Sequence, residues 1–138
     1  MGEETEIENM EKGGLRLLLN FDSERPIFVQ IAEGIEDAIL TGAYVEDSQI
    51  PSITEFSTNY RINPATALKG ISMLVEEGIL YKKRGLGMFV AVGAVEKLKH
   101  KRQALFYDNY VSSLILEAKR LQLTKEDIIA MLERGFEK

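Results

Sequence analysis

The chain has no cysteine, one histidine, three prolines and no long apolar run. Without cysteine there are no disulfides, no thiolate zinc sites and no thiol chemistry. The single histidine, His100, sits inside a Lys/Arg cluster; it reads as solvated and cannot build a histidine-rich metal site. A membrane helix needs about 18 or more consecutive apolar residues, and nothing here approaches that. Leu17-Leu18-Leu19 is too short for the core of a signal peptide, and its upstream flank is acidic rather than basic. A cytoplasmic protein with no membrane partner is expected. Basic residues are also in deficit: 17 Lys and Arg stand against 22 Asp and Glu, a formal net charge of −5. Dedicated nucleic-acid binders are often basic, so contact with DNA would have to come from a local patch. No nucleophile elbow, phosphate loop, metal-ligand spacing or Cys/His pair is present. Glu76 and Glu77 are adjacent on a helix and diverge, so they cannot act as a paired acid and base. No catalytic residue, no metal and no cofactor are expected.

What is present is enough for a packed core. At 138 residues and 45% hydrophobic content, the chain suits one domain with an appendage. It is organised around Ile50–Val90. Pro51 ends an extended approach, Ser52 is a good N-cap, and Glu55 three residues later completes a capping box. This predicts a short helix to about Tyr60, with Ile53, Phe56 and Ser57 inward. Arg61-Ile62 form a turn. Asn63 then caps a second helix that has Pro64 at its first position, where a missing N–H does no harm. Ala67, Ile71, Leu74 and Val75 make its buried stripe. Thr66, Lys69, Gly70 and Met73 fall towards another face, and Gly78 stops the helix.

A hairpin follows. Ile79-Leu80-Tyr81 begin one strand and Met88-Phe89-Val90 form its return, with Lys82-Lys83-Arg84-Gly85-Leu86-Gly87 between them. Two glycines permit a tight turn, and three consecutive basic residues can meet phosphates or a minor groove. From Tyr60 to Val90 five basic residues face two acidic ones, the local patch that the overall balance lacks. Two short helices, a turn and a basic hairpin make a winged helix-turn-helix, whose second helix suits the major groove of duplex DNA.

These elements resemble the DNA-binding domain of the GntR family of bacterial transcription regulators. The resemblance is carried by Ile50-Pro51-Ser52, Asn63-Pro64-x-Thr66, Leu74-x-x-x-Gly78-Ile79-Leu80 and Arg84-Gly85-x-Gly87-x-Phe89-Val90. Upstream, Phe21-Asp22-x-x-x-Pro26-Ile27-Phe28-x-Gln30-Ile31, together with the short C-terminal region, resembles the YtrA-type branch. By resemblance, Ser52, Asn63, Ala65, Thr66 and Arg84 occupy DNA-contacting positions. Lys69 and Lys83 join them on charge and expected exposure, and Thr54 and Gly85 complete the candidate set. The sequence departs from the family at Thr54, Leu68 and Leu86, where a basic residue is usual. The fold therefore carries over, while an arginine-based readout of guanine does not. Asn can pair with adenine, and the Ala65 and Thr66 methyls can touch the thymine methyl, which predicts an operator rich in A·T at the contacted positions.

Around this unit, residues 1–14 read as an acidic, solvated tail; the functional alternative is an arm that competes with DNA for the basic surface. Residues 15–92 are expected to form the winged domain, beginning with a short strand at Leu15–Phe21. Its third core helix runs from Ile27 to Thr41, with Phe28, Ile31, Ile35, Ala38 and Ile39 inward and Gly42 at its end. Residues 93–138 are expected to be helical: one long helix from about Ala94 to Arg120, and a last helix capped by Thr124. Lys97, Lys99, His100, Lys101 and Arg102 form either a solvated face or a contact with DNA phosphates beside the wing. The apolar faces of these helices exceed what a helical hairpin can hide. Phe106, Tyr107, Tyr110, Leu114, Met131, Leu132 and Phe136 are therefore expected to pair two copies.

The expected fold class is mainly α with a small β-hairpin wing, a winged helix-turn-helix followed by a two-helix dimerisation appendage. The expected function is a dimeric, sequence-specific regulator, a repressor acting on a palindromic DNA operator, with room left for an unidentified small-molecule effector. The alternative is a winged-helix module that docks proteins and not DNA. A protein-docking wing would have no need of Lys82-Lys83-Arg84.

Overall fold

The computed structural model describes residues 19–138. The acidic stretch 1–14, and most of the strand expected at Leu15–Phe21, lie outside the described residues. Within that span, Leu19 and Asn20 are irregular and Phe21 opens a turn. The Gln30 side chain takes up the backbone groups of Asn20. The Asn20 N–H donates to Gln30 Oε1 at 2.8 Å, and Gln30 Nε2 donates to the carbonyls of Asn20 and Arg25, both at 2.9 Å.

Three helices form the core: α1 (Ile27–Leu40), α2 (Ile53–Tyr60) and α3 (Pro64–Glu76). Ile31, Ile35 and Ile39 of α1, Phe56 of α2, and Ala67, Ile71 and Leu74 of α3 are buried together. The capping box of α2 is formed. The Glu55 N–H donates to Ser52 Oγ at 3.0 Å, and the Ser52 N–H donates to Glu55 Oε1 at 3.1 Å. Arg61 ends α2 in the left-handed region at φ 53°, which drops Ile62 into the core. Asn63 Oδ1 accepts the Ala65 N–H at 2.8 Å and starts α3. At the other end the Ile79 and Gly78 N–H groups donate to the carbonyls of Leu74 and Val75. This C-terminal cap needs a left-handed residue, and Gly78 supplies it at φ 76°.

The strands of the wing reach further into the basic run than the sequence expectation. Strands β1 (Leu80–Lys83) and β2 (Gly87–Val90) pair antiparallel, Leu80 with Val90 and Lys83 with Gly87. Lys82 and Lys83 therefore lie on a strand, and only Arg84-Gly85-Leu86 form the tip. The other edge of β2 is also covered: the Ile50 N–H donates to the Met88 carbonyl and the Val90 N–H to the Ser48 carbonyl.

Gly70 is a second difference. Sequence spacing put it on a face of α3 other than the buried stripe, yet it is buried against α1. A Cβ there would stand 2.7 Å from the Phe28 carbonyl oxygen. The absence of a side chain lets the two helices approach.

The chain divides into two compact units, the first ending at Lys99 and the second spanning His100–Lys138. The division falls later than the boundary expected after Val92, because Ala94 and Leu98 of α4 (Ala94–Phe106) are fully buried in the winged core. In the second unit the long helix is interrupted. After α4, Tyr107–Val111 form a π-helical turn, and α5 (Ser112–Arg120) follows. Such a turn inserts a residue and rotates the face beyond it. Phe106 and Tyr110 pack 5.2 Å apart there. The last helix, α6 (Lys125–Phe136), starts with a capping box between Thr124 and Asp127.

Candidate nucleic-acid interface

The candidate DNA-contacting residues all lie on the first unit, on α2, the front of α3 and the wing. Thr54, Asn63, Ala65, Lys69, Arg84 and Gly85 are exposed; Ser52, Thr66 and Lys83 are half-buried. Local structure already uses part of this set. The Ser52 hydroxyl accepts the Glu55 N–H, and the Asn63 side-chain oxygen Oδ1 accepts that of Ala65. The Asn63 amide keeps its two N–H donors for an outside acceptor.

Lys69 is placed differently from a plain solvent-directed lysine. Its ammonium lies 4.1 Å from the centroid of the Phe28 ring on α1. A cation over an aromatic face is attracted by the ring quadrupole, so Lys69 leans back across α1.

Lys83 is held in a similar way. It shares a face of the hairpin with Tyr81 and Phe89, whose rings stack 5.8 Å apart. Its ammonium lies 4.2 Å from the Phe89 centroid and 5.7 Å from that of Tyr81. The Tyr81 hydroxyl donates to Asp47 Oδ1 at 2.5 Å, and this bond raises the hydroxyl above its ordinary range. The tip is pinned from outside the hairpin, since Gln49 Nε2 donates to the Leu86 carbonyl at 2.5 Å. Gly85 takes φ 79° there.

Phe28, Asp47, Gln49, Tyr81 and Phe89 thus order the site, and sequence reasoning missed their roles. The alternation Tyr81-x-Lys83 opposite Gly87-x-Phe89 carried a signal for the aromatic shelf. Nothing local marked Gln49. Nor did anything mark Glu46, whose carboxylate accepts the N–H groups of Gly93 at 2.9 Å and Val95 at 3.1 Å. Those bonds, the Gly93 one first, hold its carboxyl below the usual range and tie the start of α4 to the segment before the wing.

The basic run on α4 is partly engaged. Lys97 Nζ lies 3.5 Å from the Gly78 carbonyl at the C-terminal end of α3, where a cation is favoured. Lys99 pairs with Glu96 at 3.7 Å. Lys101 and Arg102 are half-buried and His100 is exposed. Among the described residues no cluster of His, Cys, Asp or Glu could hold a metal ion, and no helix is long and apolar enough to cross a membrane.

Three core helices, a capped second helix and a pinned basic hairpin define a winged helix-turn-helix transcription regulator that binds DNA. The model for bacterial regulatory proteins of the gntR family matches residues 28–90. The chain is 31% identical over 111 residues to the uncharacterized HTH-type transcriptional regulator YhcF of Bacillus subtilis, covering 79% of this chain and 88% of YhcF. A GntR family transcriptional regulator from Listeria monocytogenes superposes with a TM-score of 0.68 at 30% identity, over 83% of this chain and 98% of that one. The DNA-binding domain of AraR, solved in complex with operator ORX1, matches at 31% identity and a TM-score of 0.50, over 54% of this chain and 96% of that one. The chain belongs to the GntR family. It spans only about a third of some curated relatives, 36% of YurK and 32% of the repressor NagR, both of Bacillus subtilis.

Proposed function

We propose that the protein is a homodimeric repressor, of the YtrA-type branch, that acts in the bacterial cytoplasm on a palindromic operator. It has no catalytic role. Residues 15–92 would read the DNA and residues 93–138 would join the two copies. The observation that carries this reading is the make-up of the second unit. Among its residues only Ala118 is buried, while Phe106, Tyr107, Tyr110, Leu114, Met131 and Leu132 are each 42–63% exposed and Phe136 is 89% exposed. An apolar surface of this extent on so short a helical segment is best buried against its own copy. Two-fold pairing then presents two recognition helices to two half-sites about one helical turn apart, or a multiple of it.

Asn63, Ala65 and Thr66 approach base edges. Lys83, Arg84 and the Gly85 backbone meet phosphates or the minor groove, with Ser52, Thr54 and Lys69 at the margin. NagR, 34% identical over 79 residues, is by name a repressor and supports repression here. YtrA of Sulfolobus acidocaldarius, at 24% identity and a TM-score of 0.50, supports the likeness of fold.

The test is selection of duplexes from a random pool, with affinity for the winning site followed against salt. A palindromic consensus and a steep negative slope of log K against log salt are expected. Sedimentation should give a dimer that Phe106→Glu or Leu132→Glu splits into monomers. Recovery of no consensus, with no binding at low salt, would refute the DNA-binding reading. A monomer at the concentrations that bind DNA would refute the dimer.

A further inference from the structure

The outer face of α3 is apolar where long polar side chains would ordinarily read bases. Pro64, Ala65 and Leu68 are exposed on it, Leu68 by 45%. Leu68 stands three residues after Ala65 and four after Pro64, so it lies beside both on the helix surface. The only charged residue in the first two turns, Lys69, leans its ammonium onto Phe28. Asn63 spends its side-chain oxygen on the helix start, and Thr66 is half-buried. What projects from the front of this helix is a branched hydrocarbon. A single exposed leucine is ordinary on a protein surface. This one stands on the helix that enters the groove, and in the major groove the thymine C5-methyl is the only apolar group on a base edge.

We infer that Leu68 is a specificity-determining residue that reads thymine methyl groups, with Ala65 packed beside it. The inference rests on the DNA-binding reading above and names what that reading selects. Leucine has no donor or acceptor, so it distinguishes bases only by the methyl they carry. It neutralises no phosphate, so its contribution does not follow salt.

The experiment uses the full chain and the duplex it selects. Each thymine of that site is replaced in turn by deoxyuridine, which pairs identically and lacks only the C5-methyl. Kd is measured for the wild type and for Leu68→Ala at several salt concentrations, with circular dichroism to show that the exposed substitution leaves the fold intact. At one thymine or more of each half-site, deoxyuridine should weaken wild-type binding about fourfold, the factor that burial of one methyl-sized group is worth. Leu68→Ala should bind the thymine site at least that much more weakly. It should be indifferent to deoxyuridine at those positions and keep the wild-type salt slope. A wild type indifferent to every deoxyuridine overturns the inference, as does a Leu68→Ala variant that retains the same penalty at every position. Failure to select any duplex would instead refute DNA binding itself, and the inference with it.

Discussion

Replacing Gly70 with alanine should destabilise the protein, although the same change in an ordinary helix interior stabilises it. Alanine in place of glycine mid-helix is worth about 1 kcal/mol, because glycine loses more backbone freedom on folding. Here the added Cβ would meet the Phe28 carbonyl oxygen at 2.7 Å and the Ile31 side chain at 3.2 and 3.3 Å. The first of these is backbone inside α1, so relief requires the helices to part. Overpacking of a core costs about 1–3 kcal/mol. A clash against a helix backbone belongs in the upper half of that range, which leaves a net loss of roughly 1–2 kcal/mol after the propensity gain. For a domain of this size that lowers Tm by roughly 5–15 °C. Thermal and urea unfolding followed by circular dichroism measure it. Gly135→Ala is the control, since nothing lies within 4 Å of a Cβ there; it should be neutral or slightly stabilising. A Gly70→Ala protein as stable as the wild type would refute the close approach of α1 and α3. The variant should also bind DNA more weakly, because a displaced α3 separates Lys69 from Phe28.

Other perturbations test the remaining devices. Phe89→Leu keeps an apolar side chain but removes the ring beneath Lys83; operator binding should weaken by about two- to fivefold, the value of a partly exposed cation–π contact, and an unchanged Kd would mean the shelf does not position the lysine. Lys83→Ala should reduce the salt slope by about one, if its ammonium meets a phosphate. Gln122 closes the cap of α5 at φ 57°, so Gln122→Gly should raise stability by about 1 kcal/mol, and a loss of stability would contradict the left-handed turn. Glu46 and Asp127 both have folded-state carboxyls held below their ordinary values of 4.5 and 3.8, by the Gly93 and the Thr124 backbone bond respectively. Their contribution is present above those values and is lost as pH falls through the folded ones. Stability against pH should therefore be flat near neutrality and decline below about pH 4.5, and Glu46→Gln should flatten part of that decline.

The local signals in this chain are legible because they act over three or four residues. The Ser52–Glu55 box, the Asn63-Pro64 start, the Gly78 stop and the Thr124 cap each satisfy their hydrogen bonds within one turn of helix, so the residues themselves declare them. The apolar stripes of α1 and α3 likewise follow from period alone. From these the winged helix-turn-helix was legible. Tertiary structure decided what depends on partners far along the chain. Gly70 turns inward because α1 passes close to it, and a glycine has no polarity that would announce its face. Lys69 and Lys83 are aimed by Phe28 and Phe89, and Gln49 pins a wing tip 37 residues away. Glu46 caps a helix 47 residues downstream. Gln30 takes up the backbone N–H and carbonyl of Asn20 from ten residues away. Helix and turn chemistry was settled by neighbours in sequence; the aim of each cation and the closeness of each helix were settled by neighbours in space.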